Sequence, residues 1–423
     1  MNVFRITFLI LYVLSGYVFT LDVVDKISFQ WLFLSILNFL ALIHFSYNDK
    51  TEEQLVTEFF KTKISLVFSA FILFSLSTYF YAINQNEVLI NFFRWLNVFV
   101  SFYIFYIILI KVNNARLVIS NVIIFGLILE LLANYSQIFI LYDNVPYDFS
   151  LASKILGLAA NKNINAASII TKLPFVFYLF LVTKREIIKF FSLLIIFFSI
   201  FILIYVGARA SIISLIAVIF FLIVSTFYLG LKRNNLIKDL KRNLLPIIIS
   251  ISCALIISNL MLGTQNSANI NNRISTISAD DKSVSLRLGY YKQAFNHFIK
   301  NPFIGVGLGN WKLKSIDYDN KTMTGYIVQY HAHNDFLQFL AELGIIGTLL
   351  YLGLFILILV VNLKFLLSTR INDAYFSLVL ILSLGAYFID ANLNFPYARV
   401  INQIVFISIL SGTLIQSKII ANE

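Results

Sequence analysis

The sequence is poor in cysteine, proline, histidine and charged residues. Its 423 residues include one Cys, five Pro and four His, and only 13% are Asp, Glu, Lys or Arg. The single cysteine, Cys253, excludes an intrachain disulfide and a metal cluster held by cysteines. The charged fraction lies far below the quarter or so that is usual in soluble domains. The chain is therefore not expected to fold as a soluble protein.

What the sequence has instead is hydrophobic length. Hydrophobic residues make up 59% of the chain, the mean hydropathy is +0.85, and 43 residues are Phe. At roughly 20 residues for each membrane-spanning helix, such a chain holds about a dozen spans and their connections. We therefore predict a single polytopic domain, residues 1–423, of the all-α integral membrane class. The apolar runs predict twelve spans at residues 3–20, 28–47, 64–83, 90–110, 117–141, 164–183, 190–206, 211–231, 244–262, 343–363, 374–391 and 400–417. No small-residue cleavage pattern follows the first of these, so we expect it to be retained.

The positive charge is divided unequally between the two sets of loops. Most Lys and Arg residues fall in one set, which the positive-inside rule places in the cytoplasm. The opposite set, apart from its long loop, holds only Lys26, Lys154, Lys162, Arg209 and Arg399. The formal net charge of +11 is thus largely a topology signal, with anionic lipid headgroups as the inner partner. It does not indicate a nucleic-acid partner.

One long polar loop, residues 263–342, lies on the outer side and carries three of the four histidines. Within it Val284, Leu288, Tyr291, Phe295 and Ile299 recur at helical spacing with polar residues opposite. This pattern predicts an amphipathic helix that rests on the membrane or on the bundle. Asn301 and Pro302 end the pattern.

The segment His331–Gly347, HAHNDFLQFLAELGIIG, carries the strongest candidates for chemistry. Asn334 is a plausible N-cap, which would place His333 at the positive end of a helix, where an anionic group is favoured. A neutral imidazole there could take a proton from a hydroxyl group. Two alternatives stay open. His331 and His333 could ligate a metal, although no third ligand stands at a usual spacing, or they could simply hydrogen-bond the loop.

Arginines on the outer side are candidate phosphate ligands. Arg209 lies in a short hairpin between two spans, and Arg273 and Arg287 lie in the long loop. Guanidinium groups bind phosphate oxygens bidentately, so two or three that converge can hold a diphosphate. Arg209 could instead be a snorkelling anchor, and loop arginines are often only solvated.

Asn161 and Asn163 precede the sixth span. They could cap its helix or hydrogen-bond a sugar or phosphate.

Two charged residues, Glu130 and Lys172, fall near the middle of the fifth and sixth predicted spans. An unpaired charge at that depth would be costly. We therefore predict that they face inward and pair with each other.

Taken in order, these motifs resemble the bacterial O-antigen ligase and O-antigen polymerase superfamily. The resemblance is carried by GLAANKNINAA, by GARAS with Arg209, by RLGYYKQAFNHFIKNPFIGVGLGNW from Arg287, and by HAHNDFLQFLAELGIIG. In the ligases a His followed by Asn, Ser or Gln precedes a Gly at a fixed interval, with a second small residue three positions further on. His333, Asn334, Gly344 and Gly347 fit that pattern. The hallmark domain would span residues 200–360, and NLNFPYARV before the last span extends the likeness.

The resemblance implies a fold and an activity. The fold would be similar to the GT-C class of membrane glycosyltransferases. The enzyme would be a metal-independent, cofactor-free glycosyltransferase of the bacterial inner membrane, with its active site at the periplasmic face. It would take a glycan from undecaprenyl diphosphate and transfer it, with inversion, to a lipid A-core hydroxyl. His333 would be the base, while Arg209 and Arg287 would hold the diphosphate. Ala208 departs from the Ser that many relatives have there.

Three other functions stay open. The chain could join lipid-linked repeat units as a polymerase, or transfer glycan to protein hydroxyls, as other members of the superfamily do. From hydropathy alone it could also be a transporter or flippase.

Overall fold

The computed structural model describes residues 2–18, 25–48, 52–142, 154–262, 282–319, 329–367 and 371–421. Seventeen α-helices and no strand occur in these ranges. They are α1 Asn2–Ser15, α2 Lys26–Asn48, α3 Glu52–Lys61, α4 Lys63–Ser77, α5 Gln85–Ile110, α6 Ala115–Tyr142, α7 Lys162–Val182, α8 Glu186–Val206, α9 Arg209–Lys232, α10 Leu236–Asp239, α11 Leu245–Leu262, α12 Lys282–Lys300, α13 Trp311–Lys314, α14 Ile316–Asp319, α15 Asp335–Leu366, α16 Ile371–Leu393 and α17 Val400–Ala421.

Eleven apolar helical stretches in the described ranges are long enough to cross a membrane. The prediction of an all-α, multi-pass membrane protein is confirmed. The first predicted span, residues 3–20, corresponds to α1, a helix of 14 residues, which is shorter than the roughly 20 residues that a bilayer core requires. The tenth span also differs from its prediction, because α15 begins at Asp335 rather than at 343 and is 32 residues long.

Contacts between distant parts of the chain sort the helix ends into two faces. Pairs at one face, here called the basic face, are Arg5 with the Lys111 carbonyl, Arg116 with Asp373, Lys232 with the Leu367 carbonyl and Lys418 with Glu58. Pairs at the opposite face, here called the site face, are Trp31 with the Ala398 carbonyl, Asn310 with the backbone of Asn84 and Arg287 with the Leu393 carbonyl. The basic-face pairs contain five Lys or Arg residues, whereas the site-face pairs contain one, Arg287, which belongs to the long loop.

The centre of the bundle is formed by α7, α16 and α17. In the apolar stretches of these helices, 89%, 78% and 94% of the residues are buried, respectively. The side chain of Asn161 caps α7 by accepting hydrogen bonds from the backbone N–H groups of Asn163 and Ile164. Capping satisfies N–H groups that have no partner within the helix. The capping role predicted for Asn161 is thus observed.

The buried charges pair as predicted. Lys172 Nζ lies 2.6 Å from Glu130 Oε1, and both residues are fully buried. The same carboxylate accepts hydrogen bonds from Tyr17 and Ser168. A charge in the bundle interior is tolerated when its partner and hydrogen bonds compensate it.

Helix α12 is the predicted amphipathic helix and packs on α15, but only part of its apolar stripe, including Tyr291, faces the bundle. Its buried residues are Ala294 and His297. Leu288, Phe295 and Ile299 are about half exposed. Apolar side chains that face outward at the edge of a membrane bundle are expected to contact the bilayer interface.

Helix α15 is broken at Gly344, where φ is 65° and ψ is −166°. The broken turn receives the segment 302–309: Val306 N–H donates to the Ala341 carbonyl, and Ile345 N–H donates to the Pro302 carbonyl. A Cβ at Gly344 would lie 2.4 Å from the Phe303 carbonyl oxygen. Glycine is required here because the φ is left-handed and the backbones approach so closely.

Candidate active site

His333 stands on the short segment that enters α15 at the site face. Its φ of 56° is left-handed, which is uncommon for a residue with a side chain and marks a constrained position. The next residue, Asn334, caps α15 by accepting from the Leu337 N–H at 3.0 Å, as predicted. The Asn334 amide also donates to the Asn392 carbonyl at 3.1 Å. The cap and this cross-link fix the backbone that carries His333.

Arg287, on α12, lies beside His333. Its guanidinium donates to the Leu393 carbonyl at 2.9 Å and to Asn394 Oδ1 at 3.5 Å. One turn further along α12, the Tyr291 hydroxyl donates to the carbonyls of His333 and Asn392, each at 3.0 Å. The end of α16 therefore contacts both the segment that carries the predicted base, His333, and the predicted phosphate ligand, Arg287.

The surroundings keep the His333 imidazole neutral. Burial and the nearby Arg287 charge lower its pKa to about 4, because both disfavour the imidazolium form. Its Nδ1 is buried and has no hydrogen-bond partner among the described residues. A neutral, partly exposed imidazole is chemically able to accept a proton at neutral pH.

His331 faces a different environment, although only one residue separates it from His333. Its ring stacks on Phe395 with centroids 4.2 Å apart, whereas His333 meets the same phenyl ring at 71° and 5.1 Å. The Tyr397 hydroxyl lies 3.4 Å from His331 Nδ1. Burial and the Arg399 charge lower the pKa of His331 to about 3. Phe395 therefore lies against both histidines.

A buried network holds the segment that carries the two histidines. The side-chain amide oxygen of Gln338, Oε1, accepts from the Ala332 backbone N–H at 3.1 Å. The Gln338 amide nitrogen donates to Glu342 at 3.0 Å and to the Tyr397 hydroxyl at 2.6 Å. Glu342 also accepts from the backbone N–H groups of Gly309 and Trp311. This scaffold was not predicted from the sequence. Gln338 and Glu342 nevertheless stand four residues apart in the motif HAHNDFLQFLAE, a spacing that makes two residues neighbours on one face of a helix.

Arg209 is the first residue of α9 and is half-buried. It follows Gly207, whose left-handed φ of 63° ends α8, so the predicted short hairpin is present. Helix α9 packs along α16, and Arg233 at its far end lies 5.5 Å from the Tyr375 ring near the start of α16. The two helices are therefore antiparallel, which places Arg209 at the site-face end of the bundle, the same end as Arg287.

Three further predicted residues remain, Arg273, Asn161 and Asn163. Arg273 lies outside the described residues. The cap residue Asn161 and its neighbour Asn163 stand at the start of α7, and the Asn163 backbone N–H donates to the cap. No group of three or more His, Cys, Asp and Glu side chains that could hold a metal occurs among the described residues.

One cluster at the site face was not predicted as a site. Arg94, Arg399 and His331 line a cavity of about 330 Å³ together with Asp25 and Tyr397. From the sequence, Arg399 was identified only as an outer-loop cation. Arg94 and Arg399 could have been recognised as candidates because both are cations on the outer side, where the positive-inside rule does not require them.

Comparison with known proteins identifies the central part of the chain. Residues 193–352 match the family model described as O-antigen ligase. The matched range contains Arg209, Arg287, His331 and His333, together with the Gly344 break. A comparison with the curated proteins found none that matches the chain.

Proposed function

We propose that this chain, which belongs to the O-antigen ligase and O-antigen polymerase superfamily, transfers a glycan from undecaprenyl diphosphate to a lipid A-core hydroxyl at the periplasmic face of the bacterial inner membrane. The observation that carries the proposal is the adjacency of a neutral His333 and the Arg287 guanidinium inside the matched range. A base and an anion ligand side by side suit the transfer of a group from a phosphate carrier to a hydroxyl.

In the proposed reaction the acceptor hydroxyl attacks the anomeric carbon of the donor glycan. The His333 imidazole takes the hydroxyl proton as the new carbon–oxygen bond forms. The old bond to the phosphate oxygen breaks with its electron pair, so the carrier leaves as a diphosphate. A single displacement of this kind inverts the anomeric centre and requires no protein nucleophile.

Arg287 and Arg209 have the second role, which is to stabilise the leaving diphosphate. The Arg287 side chain is oriented by two acceptors at the end of α16, so little reorganisation is needed when charge develops. Arg209 starts α9 at the same end of the bundle. We expect the two guanidinium groups to bind the same diphosphate from neighbouring helices.

The test is transfer by purified protein in detergent, with chelator present, using a synthetic lipid-linked glycan and a lipid A-core acceptor. Wild type should form product, and His333→Ala should form little or none. His44→Ala is the matched control, because His44 lies near the end of α2 and contacts Phe4 at the start of α1, away from the site. Equal turnover by wild type and His333→Ala would remove the proposed base.

A deletion strain decides between ligase and polymerase, because the motifs of the two overlap. Loss of a ligase should leave long polymer on the lipid carrier. Loss of a polymerase should leave single repeats transferred to the acceptor. Loss of glycoprotein bands with unchanged lipopolysaccharide would instead indicate transfer to protein.

A further inference from the structure

The cavity lined by Arg94, Arg399 and His331 has its own positive charge. It lies between the start of α5 and the turn before α17, and Lys312 and Tyr330 complete its outer rim. Its volume of about 330 Å³ is at the lower end of the range of small-ligand sites. It holds the charged groups Arg94, Arg399, Lys312, Asp25 and Glu87.

The acidic residues of this cavity are engaged elsewhere. Asp25 caps α2, where its carboxylate accepts from the Ile27 and Ser28 N–H groups and from the Ser28 hydroxyl. Glu87 pairs with Lys312 at 2.8 Å. Neither forms an ion pair within 4.0 Å with Arg94 or Arg399 in the described part of the chain. The two guanidinium groups therefore have no ion-pair partner in direct contact, and the Asp25 carboxylate attracts both of them from a longer distance.

The two guanidinium groups are held in place by aromatic rings. Arg94 lies 6.0 Å from the ring centroid of Trp31, and Arg399 lies 5.5 Å from that of Phe395. Arg399 Nε is buried and has no hydrogen-bond partner among the described residues. Burial and the neighbouring Arg94 charge lower the pKa of Arg399 to about 10, so Arg399 is still charged at neutral pH. A buried donor on a charged group is costly unless an acceptor reaches it.

The position of the cavity relative to His333 suggests which substrate it would serve. Phe395 contacts Arg399, His331 and His333, so a single ring connects the cavity to the proposed base. Arg287, the proposed diphosphate ligand, contacts Leu393 and Asn394, the two residues that precede Phe395 in the chain. The donor phosphate and an anion in the cavity would therefore approach His333 from different directions.

We propose that the Arg94 and Arg399 cavity binds an anionic group, phosphate or carboxylate, on the acceptor glycan. The cavity would thereby select negatively charged acceptors and direct their hydroxyl toward His333. This inference rests on the proposed function for the identity of the acceptor.

Equilibrium binding without donor tests the cavity separately from catalysis. The probes are a phosphorylated lipid A-core oligosaccharide, the same oligosaccharide after phosphatase treatment, and inorganic phosphate. Wild type should bind the phosphorylated probe about 10-fold to 100-fold more tightly than the treated one, which is the scale of one or two charge-assisted hydrogen bonds. Arg94→Gln and Arg399→Gln should lose most of that preference. Arg399→Lys should keep part of it, because the charge remains and the fork geometry is lost.

The control is Arg185→Gln, which removes an exposed arginine at the start of α8 and should bind like wild type. Thermal unfolding in the same detergent identifies any variant that has lost the fold. If a Gln variant has lost it, the preference of Arg399→Lys for the phosphorylated probe tests the proposal instead. Equal binding of the two oligosaccharides by wild type would overturn the proposal. So would a Gln variant that keeps its fold and the full preference, or tight binding of inorganic phosphate with no preference between the oligosaccharides.

Turnover separates this inference from the proposed function. If wild type transfers glycan equally well to charged and uncharged acceptors, the cavity proposal fails while the transferase stands. If wild type binds the charged probe selectively but transfers nothing to any acceptor, the proposed function fails and the anion site stands.

Discussion

The interior of the bundle and its site face treat positive charge in opposite ways. In the interior, Lys172 contacts a carboxylate that also receives hydrogen bonds from Tyr17 and Ser168. At the site face, Arg287 donates its hydrogen bonds to neutral acceptors, Arg94 and Arg399 rest on aromatic rings, and the carboxylates of Asp390 and Asp25 act on these arginines without a direct ion pair. The interior charge is neutralised by the protein itself, whereas the charge at the site face is available to an anion from outside.

This difference separates a structural role from a functional one. An interior pair that is satisfied by the fold should affect folding when it is broken and chemistry only indirectly. Guanidinium groups that lack a direct ion pair and stand beside a neutral imidazole should affect substrate binding and turnover with little effect on folding. Single variants of the two regions should therefore differ in whether they change stability or activity.

The largest effect is expected from His333→Ala. Loss of a general base should lower the rate of glycan transfer by about 10²-fold to 10⁴-fold, with donor binding little changed. The measurement is initial rate at saturating donor and acceptor. A thermal unfolding midpoint near that of wild type would confirm that the lower rate reflects a lost catalytic group. A large drop in the midpoint would instead indicate that His333 stabilises the fold.

Lys172→Met should mainly destabilise the protein. It leaves the Glu130 carboxylate buried without its partner, which costs roughly 3–5 kcal/mol, so the thermal midpoint in detergent should fall clearly. Lys172→Met combined with Glu130→Gln removes the uncompensated charge and should recover part of the loss. If the double variant is no more stable than the single one, the pair does not act as a compensated unit.

Gly344→Ala should disturb the scaffold of the site by a smaller amount. An alanine at φ 65° and ψ −166° would occupy a backbone region that is essentially restricted to glycine, at a cost of about 1–3 kcal/mol, and its Cβ would meet the Phe303 carbonyl oxygen. The expected result is a lower midpoint and weaker transfer together, because segment 302–309 would shift. Gly353→Ala is the matched control in the same helix, since its Cβ would make only an ordinary contact with Val67. Equal behaviour of the two variants would contradict the role assigned to the break.

The smallest effect is expected from pH. Since the pKa of His333 is about 4, the imidazole stays neutral from pH 8 down to about pH 5, and kcat/KM should be flat there and fall only toward pH 4. Arg287→Gln removes a positive charge that lowers this pKa, so the acid limb should move to higher pH. Arg185→Gln should leave it in place. A wild-type limb near pH 6.5 would show that His333 is not held neutral.

Features with a local signal could be predicted from the sequence. Hydrophobic length predicted the spans, the Asn334 N-cap was legible from residue type, and the cost of an unpaired charge predicted the Lys172 pair with Glu130. Each of these depends on one helix or on two neighbouring ones. The spacing from His333 to Gly344 was recognised as a pattern, but its physical role, a broken helix that receives segment 302–309, was not.

Features that depend on packing could not be predicted. Only part of the apolar stripe of α12 faces the bundle, and the face that packs on α15 carries the small Ala294 and the polar His297, which periodicity does not select. Arg94 and Arg399 meet because α5 and the turn before α17 are neighbours in the fold, although they stand near opposite ends of the chain. No local pattern links residues so far apart.

The most direct test of the account is a two-substrate kinetic comparison of Arg287→Gln and Arg399→Gln with donor and acceptor varied in turn. The account predicts that Arg287→Gln raises the KM for the lipid-linked donor, whereas Arg399→Gln raises the KM for a phosphorylated acceptor and leaves the donor KM near that of wild type. The same KM rising in both variants would contradict the assignment of separate donor and acceptor sites on either side of His333.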